Sequence, residues 1–400
     1  MQDIYIGRQP IFNRNMDLFA YELLYRPNNV HNAAGVINHD HATTQVMINA
    51  CLDFGLDRLV GEKPAFINLP RSFIVGDNPL PFPKGRVILE ILEDIKIDEP
   101  LLNAVRKLRA EGYDIALDDF VYRTDLNSLI ALSKFVKIDF KALPREAIRE
   151  QVSALQASKV ELLAEKVETY EDFEYARQLG FQYFQGYFLC RPKIVSGRSL
   201  ASNRLAILRL LSKLSDPDTK VAELADLVSQ DVALSYKLLR SLNSPFYALP
   251  KRVDSIHHAI VYVGMQQIRK WISLIVLMNI ADKPSQLMVL ALTRARMCEL
   301  IGEALGEKNR EGLFTVGMFS LLDALMDDNL ENVLVELPLS AEIKAAILNH
   351  EGAMGSILRT VLLYERGRWD AIDSLPSESA AVTEAYLQSI AWSDQACQYI

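Results

Sequence analysis

The chain has 400 residues, half of them hydrophobic, with a net charge of −8 and a pI near 5.4. That is enough apolar material for two cores and excludes a disordered composition. The acidic balance argues against non-specific attachment to nucleic acid or to an anionic membrane.

The first half alternates strand-type runs with helical patterns. Ile4–Gly7, a turn over Phe12–Met16 and Leu18–Tyr25 read as a hairpin, so the first strand is expected to be antiparallel. Further strands follow at Ala65–Leu69, Val87–Ile91, Asp114–Leu117, Phe135–Ile138, Glu161–Ala164 and Tyr183–Gln185. Amphipathic stretches lie between them at Thr43–Phe54, Asp98–Glu111, Leu126–Ser133, Pro144–Ala157 and Tyr170–Leu179. Pro144 suits the first position of its helix, where a missing N–H costs nothing. About eight strands within roughly 195 residues predict a TIM-type (β/α)8 barrel with an antiparallel first strand.

Alternation stops near Pro192–Ser202, which places a barrel over residues 1–195 and a second, all-α domain over 200–400. Apolar residues there recur at helical spacing over Leu205–Leu214, Val221–Ser229, Leu234–Leu242, His257–Tyr262, Gln266–Ile280, Gln286–Leu305, Leu313–Met326, Ala341–Leu348, Ser356–Arg366 and Ala380–Ile390. The apolar stretch Trp271–Met288 reads as core, with a partner or homodimer surface as the other use. No stretch is long and uninterrupted enough for a membrane span, and the N-terminus has no signal-peptide pattern. Cys51, Cys190, Cys298 and Cys397 lack CxxC spacing and read as reduced thiols of a cytoplasmic protein.

The strand ends carry the chemistry. Glu22, Asn68, Glu90, Asp118 with Asp119, Lys137, Glu165 and Gln185 each close an apolar run of strand length. A single such residue is ordinarily a solvated strand end. A series on successive strands is different, because barrel active sites are assembled from those ends. Buried carboxylates repel unless paired or metal-bound. Hard oxygen donors suit Mg²⁺ or Mn²⁺. Two such ions about 4 Å apart would clamp a phosphodiester and activate water, with Lys137 neutralising phosphate or orienting that water.

These segments resemble the EAL domain of cyclic-di-GMP phosphodiesterases. Gln9-Pro10-Ile11 is similar to the family's opening, Glu22-Leu23-Leu24-Tyr25-Arg26 stands at its Glu-Ala-Leu-x-Arg signature, and Asn68, Glu90, Asp118-Asp119-Phe120, Lys137-Ile138-Asp139, Glu165-Lys166-Val167-Glu168 and Gln185-Gly186-Tyr187 follow in family order. The resemblance implies that Glu22, Asn68, Glu90, Asp118 and Asp119 ligate two metals, Mg²⁺ or Mn²⁺. It implies Glu165 as ligand or general base, Lys137 at the water or phosphate, and Gln9, Arg26 and Gln185 around the dinucleotide. The implied reaction opens cyclic-di-GMP to linear pGpG. Three departures bear on it: Leu23 replaces Ala, Lys166 replaces Gly and is expected to depress the Glu165 pKa, and Val121–Asp125 replaces a Gly-rich loop that needs positive φ. The alternative is therefore a sensor that binds cyclic-di-GMP without turnover.

Glu223–Phe246, with Ser255–Ile260 and Val263-Gly264, resembles the HDOD domain, a helical relative of HD phosphohydrolases. The one His-Asp dipeptide, His39-Asp40, lies in the other half, where Asp40 reads as a helix N-cap. The HDOD half is expected to act through an unidentified protein partner and not by catalysis.

Overall fold

A computed structural model describes residues 4–27, 55–76, 80, 82–93, 95–190, 210–214, 216, 218–220, 223–225, 228, 232–244, 253, 255–278, 283–372 and 379–399. The helix expected at Thr43–Phe54, His39-Asp40-His41, Cys51, the boundary segment Pro192–Ser202 and the first half of Leu205–Leu214 lie outside the described residues, as do several positions of Val221–Ser229.

Eight strands close into a barrel in chain order: β1 (Ile4–Asn13), β2 (Leu18–Pro27), β3 (Ala65–Asn68), β4 (Val87–Ile91), β5 (Asp114–Leu117), β6 (Phe135–Asp139), β7 (Glu161–Glu165) and β8 (Tyr183–Gln185). β1 runs antiparallel to both β2 and β8, and every other neighbouring pair is parallel. The hairpin is longer than its apolar pattern, because β1 continues to Asn13 and turns through Met16 at φ 66.

Period-two alternation organises the interior. Ala20, Phe66, Ile88, Ala116, Phe135 and Leu163 form one buried cluster with Ile11, and Tyr183 packs against it. Each of these strand residues stands two positions before a polar one: Glu22, Asn68, Glu90, Asp118, Lys137, Glu165 and Gln185. On the reversed β1, Ile11 stands two positions after Gln9. The aromatic members fill the middle of the barrel, with Phe66 and Phe135 ring centroids 5.3 Å apart and Phe19 stacked on Tyr183 at 4.1 Å. An apolar plug therefore lies directly beneath a polar layer, and the same pleat produces both.

The connecting helices have local start and stop signals. Asp98 caps Glu99–Ala110 by accepting the Leu101 N–H, and Thr169 caps Tyr170–Leu179 by accepting that of Asp172. Gly180, left-handed at φ 100, ends the latter helix. Pro144 is one residue outside its helix, Arg145–Leu155, because its ψ of 156° is extended. The stretch expected as a helix over Leu126–Ser133 holds only a 3₁₀ turn, Thr124–Leu126, and one helical turn, Asn127–Ile130.

Two compact units divide the chain: Met1–Leu189 with Gly367–Thr383, and Cys190–Arg366 with Glu384–Ile400. Among the described residues from 210 to 366 there are helices and no strands. The pattern over Leu313–Met326 is two helices, Arg310–Phe319 and Leu322–Met326, and the short helix Leu330–Val335 had no sequence signal. Trp271, Ile272, Leu274, Ile275, Val276 and Leu277 are all buried, so the part of that stretch over 271–277 is core. The helical unit is tied by a buried pair, Arg294 to Glu365, with bonds of 3.0 and 2.8 Å, and Arg294 also donates to Ser320 Oγ at 2.7 Å.

Candidate metal centre at the barrel mouth

The polar layer converges on Lys137. Its Nζ lies 2.5 Å from Glu90 Oε1, 2.7 Å from Asp118 Oδ1, 2.7 Å from Glu165 Oε1 and 3.5 Å from Glu22 Oε2. Lys137 is wholly enclosed. Four carboxylates reach this lysine, from β2, from β4, from the residue that follows β5 and from β7. Gln185 Nε2 donates to Glu22 Oε2 at 2.6 Å and to Gln9 Oε1 at 3.0 Å, and Asn68 Nδ2 reaches Glu22 Oε1 at 3.4 Å. Arg26 lies on β2 opposite Tyr5, and its side chain is outside the described residues.

Four carboxylates around one ammonium leave excess negative charge in a dry place. Burial pushes Glu90 and Glu165 well above the usual carboxylate range, against the opposing pull of Lys137. Burial alone would lower Lys137, but Glu165, Glu22, Glu90 and Asp118 together hold it well above its ordinary value. Glu22, Glu90 and Asp118 bring carboxylate oxygens within 4.8 Å of one another. Asn68 Oδ1 and Glu165 Oε2 are buried with no hydrogen-bond partner. Convergent anionic oxygens with unsatisfied lone pairs fit a hard divalent cation.

Asp119 does not join this cluster. It is left-handed at φ 41 and its carboxylate meets Lys166. The expectation that Lys166 lowers the Glu165 pKa is corrected: its ammonium pairs with Asp119 and Asp139, and the Glu165 carboxyl is raised by burial. The left-handed residue Lys166, at φ 53, turns the chain so that consecutive side chains diverge. The loop after Asp119 likewise differs from expectation. Positive φ falls on Asp119 itself and not on Val121, which is half exposed, while the Tyr122 N–H donates to the Gln151 side chain. Asp139 was missed as a site residue, although it stands two positions after Lys137 on the same face of β6. Its Oδ1 accepts the N–H groups of Lys141 at 2.6 Å and Ala142 at 2.9 Å.

Two relatives match nearly the whole chain. YuxH of Bacillus subtilis is 33% identical over 402 residues, covering 97% of this chain and 98% of its own length. CdgJ of Vibrio cholerae, a cyclic di-GMP phosphodiesterase, is 34% identical over 377 residues, covering 93% of this chain and 87% of its own. The chain belongs to the EAL–HDOD family. The EAL domain model matches residues 53–192 and the HDOD domain model residues 200–335. Gln9 and Glu22 precede the EAL match, yet the barrel of this EAL–HDOD protein brings both to Gln185. Among solved structures, BlrP1 of Klebsiella pneumoniae with manganese and the cyclic dinucleotide aligns at TM-score 0.38 and 18% identity, over 47% of this chain and 55% of its own. A standalone EAL protein of Vibrio cholerae O395 aligns at TM-score 0.36 and 23% identity, over 46% of this chain and 90% of its own.

Proposed function

We propose that the EAL barrel hydrolyses cyclic-di-GMP to linear pGpG, and that the HDOD domain regulates this activity or relays it to a protein partner in the cytoplasm. The observation that carries the reading is the convergence of Glu22, Glu90 and Asp118 beside Asn68 and Glu165 at the carboxyl ends of the barrel strands. The activity named for CdgJ supports it.

Glu22, Asn68, Glu90 and Asp118 would hold Mg²⁺ or Mn²⁺. When bound, the cation supplies Lewis acidity and offsets the charge of the phosphodiester. Lys137 keeps four carboxylates of like charge in one place and so presets the donor set. Glu165 has a raised pKa and a buried, unpartnered Oε2, which suits a base that takes a proton from the attacking water. The water oxygen bonds to phosphorus, one ester bond from phosphorus to a ribose 3′-oxygen breaks, and that oxygen leaves with a proton from solvent. Gln9, Gln185 and Arg26 contact the dinucleotide; a guanidinium fork fits its phosphate.

The test is pGpG release from cyclic-di-GMP by the purified chain with Mg²⁺ or Mn²⁺, with Glu22→Ala as control. Metal-dependent product that is lost in the variant is expected. Absence of product with either ion, together with retained dinucleotide binding, supports the sensor reading. The observation favouring that second reading is the ion pair that draws Asp119 away from the cluster.

A further inference from the structure

Asp118 and Asp119 are adjacent, but only Asp118 contributes to the carboxylate cluster among the described residues. Lys166 Nζ lies 3.2 and 3.4 Å from the two oxygens of Asp119 and 2.5 Å from Asp139 Oδ2. The two sides of this bridge are unequal. Asp139 is nearly buried and is fixed through its other oxygen by two backbone N–H groups. Asp119 and Lys166 are partly open to water, with side chains 36% and 49% exposed. Solvent therefore screens the Asp119 contact more strongly than the Asp139 contact. The ammonium is anchored on Asp139 and holds Asp119 as its exchangeable partner. Both Asp119 and Lys166 adopt left-handed backbone, which L-residues avoid without a tertiary reason.

We propose that the Lys166 ammonium stands in for one cation of the site: it occupies Asp119 as a tethered counter-ion, so the chain binds one divalent ion through Glu22, Asn68, Glu90 and Asp118 and admits a second only by displacing Lys166. The inference rests on the metal-dependent reading of the barrel and concerns how many ions it takes. Lys166 is a positioning residue here, acting through Asp119. Turnover then requires a cation concentration high enough to break the pair, which makes the barrel a conditional enzyme.

The experiment is a Mn²⁺ titration of the full chain, following free Mn²⁺ by electron paramagnetic resonance, for wild type, Lys166→Gly and Lys166→Met. One ion is expected in the wild type and two in both variants, with the second bound at least about tenfold more tightly than any second ion of the wild type. Lys166→Met retains the Cβ and the strained backbone, so a gain confined to Lys166→Gly reports backbone relief and overturns the proposal. Equal stoichiometry and affinity in all three proteins also overturn it. So does a gain that persists when Asp119→Asn is added to Lys166→Met. Ion counts that follow the expectation, without pGpG from any variant, uphold the proposal and sink the hydrolytic reading instead.

Discussion

Lys137 is one positive charge shared by four carboxylates inside the barrel, so its removal strands buried anions. Lys137→Met is expected to destabilise the chelated protein by about 3–5 kcal/mol. Added Mg²⁺ should recover part of that loss, because the cation neutralises the same carboxylates. Denaturant unfolding in EDTA and in Mg²⁺ checks both parts. A variant as stable as wild type in EDTA would mean that the carboxylates had simply taken up protons. The polar layer itself was legible residue by residue, because period-two alternation and strand length are local properties. Asp139 was not legible as a partner of Lys166, since one ends β6, the other follows β7, and they stand 27 residues apart.

At the scale of elements, the turn after β8 depends on one glycine. Gly186 has φ 150, and a Cβ there would run into the backbone of Val167, whose N–H donates to the Gln185 carbonyl at 3.0 Å. Gly186→Ala should cost about 2–3 kcal/mol, the scale of overpacking against backbone, and should shift Gln185 relative to Glu22. Unfolding midpoints and pGpG assays of the variant measure the two effects. In the helical unit, Glu299 on Ser285–Ala304 pairs with Lys270 at 2.7 Å and Arg296 at 2.6 Å. Burial pushes its pKa up, but the bonds from Lys270 and Arg296 win and hold it below the usual 4.5. A depressed folded value gives stability that is present above the unfolded pKa and is lost as pH falls through the folded one. Glu299→Gln should therefore cost about 1–2 kcal/mol at neutral pH and converge with wild type in acid. A pH series of urea midpoints tests this, and parallel curves would contradict it. The helix pattern predicted most of these elements, but it joined Arg310–Phe319 to Leu322–Met326, because the break falls at Leu321, at φ −115 and ψ 12, with no Gly or Pro to mark it.

At the scale of the molecule, the chain forms two compact units, and the proposed metal centre lies wholly within the one that holds the barrel. Divalent cation at 100 times its dissociation constant should stabilise the folded protein by about 2.7 kcal/mol, by mass action. Glu22→Ala should lose most of that shift while leaving the apo protein folded. Thermal melts with and without Mg²⁺ read this directly. An equal shift in the variant would place the cation elsewhere. No helix among the described residues is long and apolar enough to cross a membrane.

The alternation of strands and helices, the antiparallel opening and the row of polar residues at the strand ends were determined by the sequence alone. Each follows from spacing within a few residues, where backbone geometry dictates which face a side chain takes. Only the tertiary structure decided which donors meet. Barrel closure brings Gln9 to Gln185 across 176 positions, encloses Lys137, and carries Asp119 to Lys166 across 47. Those pairings depend on strand stagger and on two left-handed residues, and the energy that selects them is the cost of leaving buried charge unpaired, which no local pattern encodes.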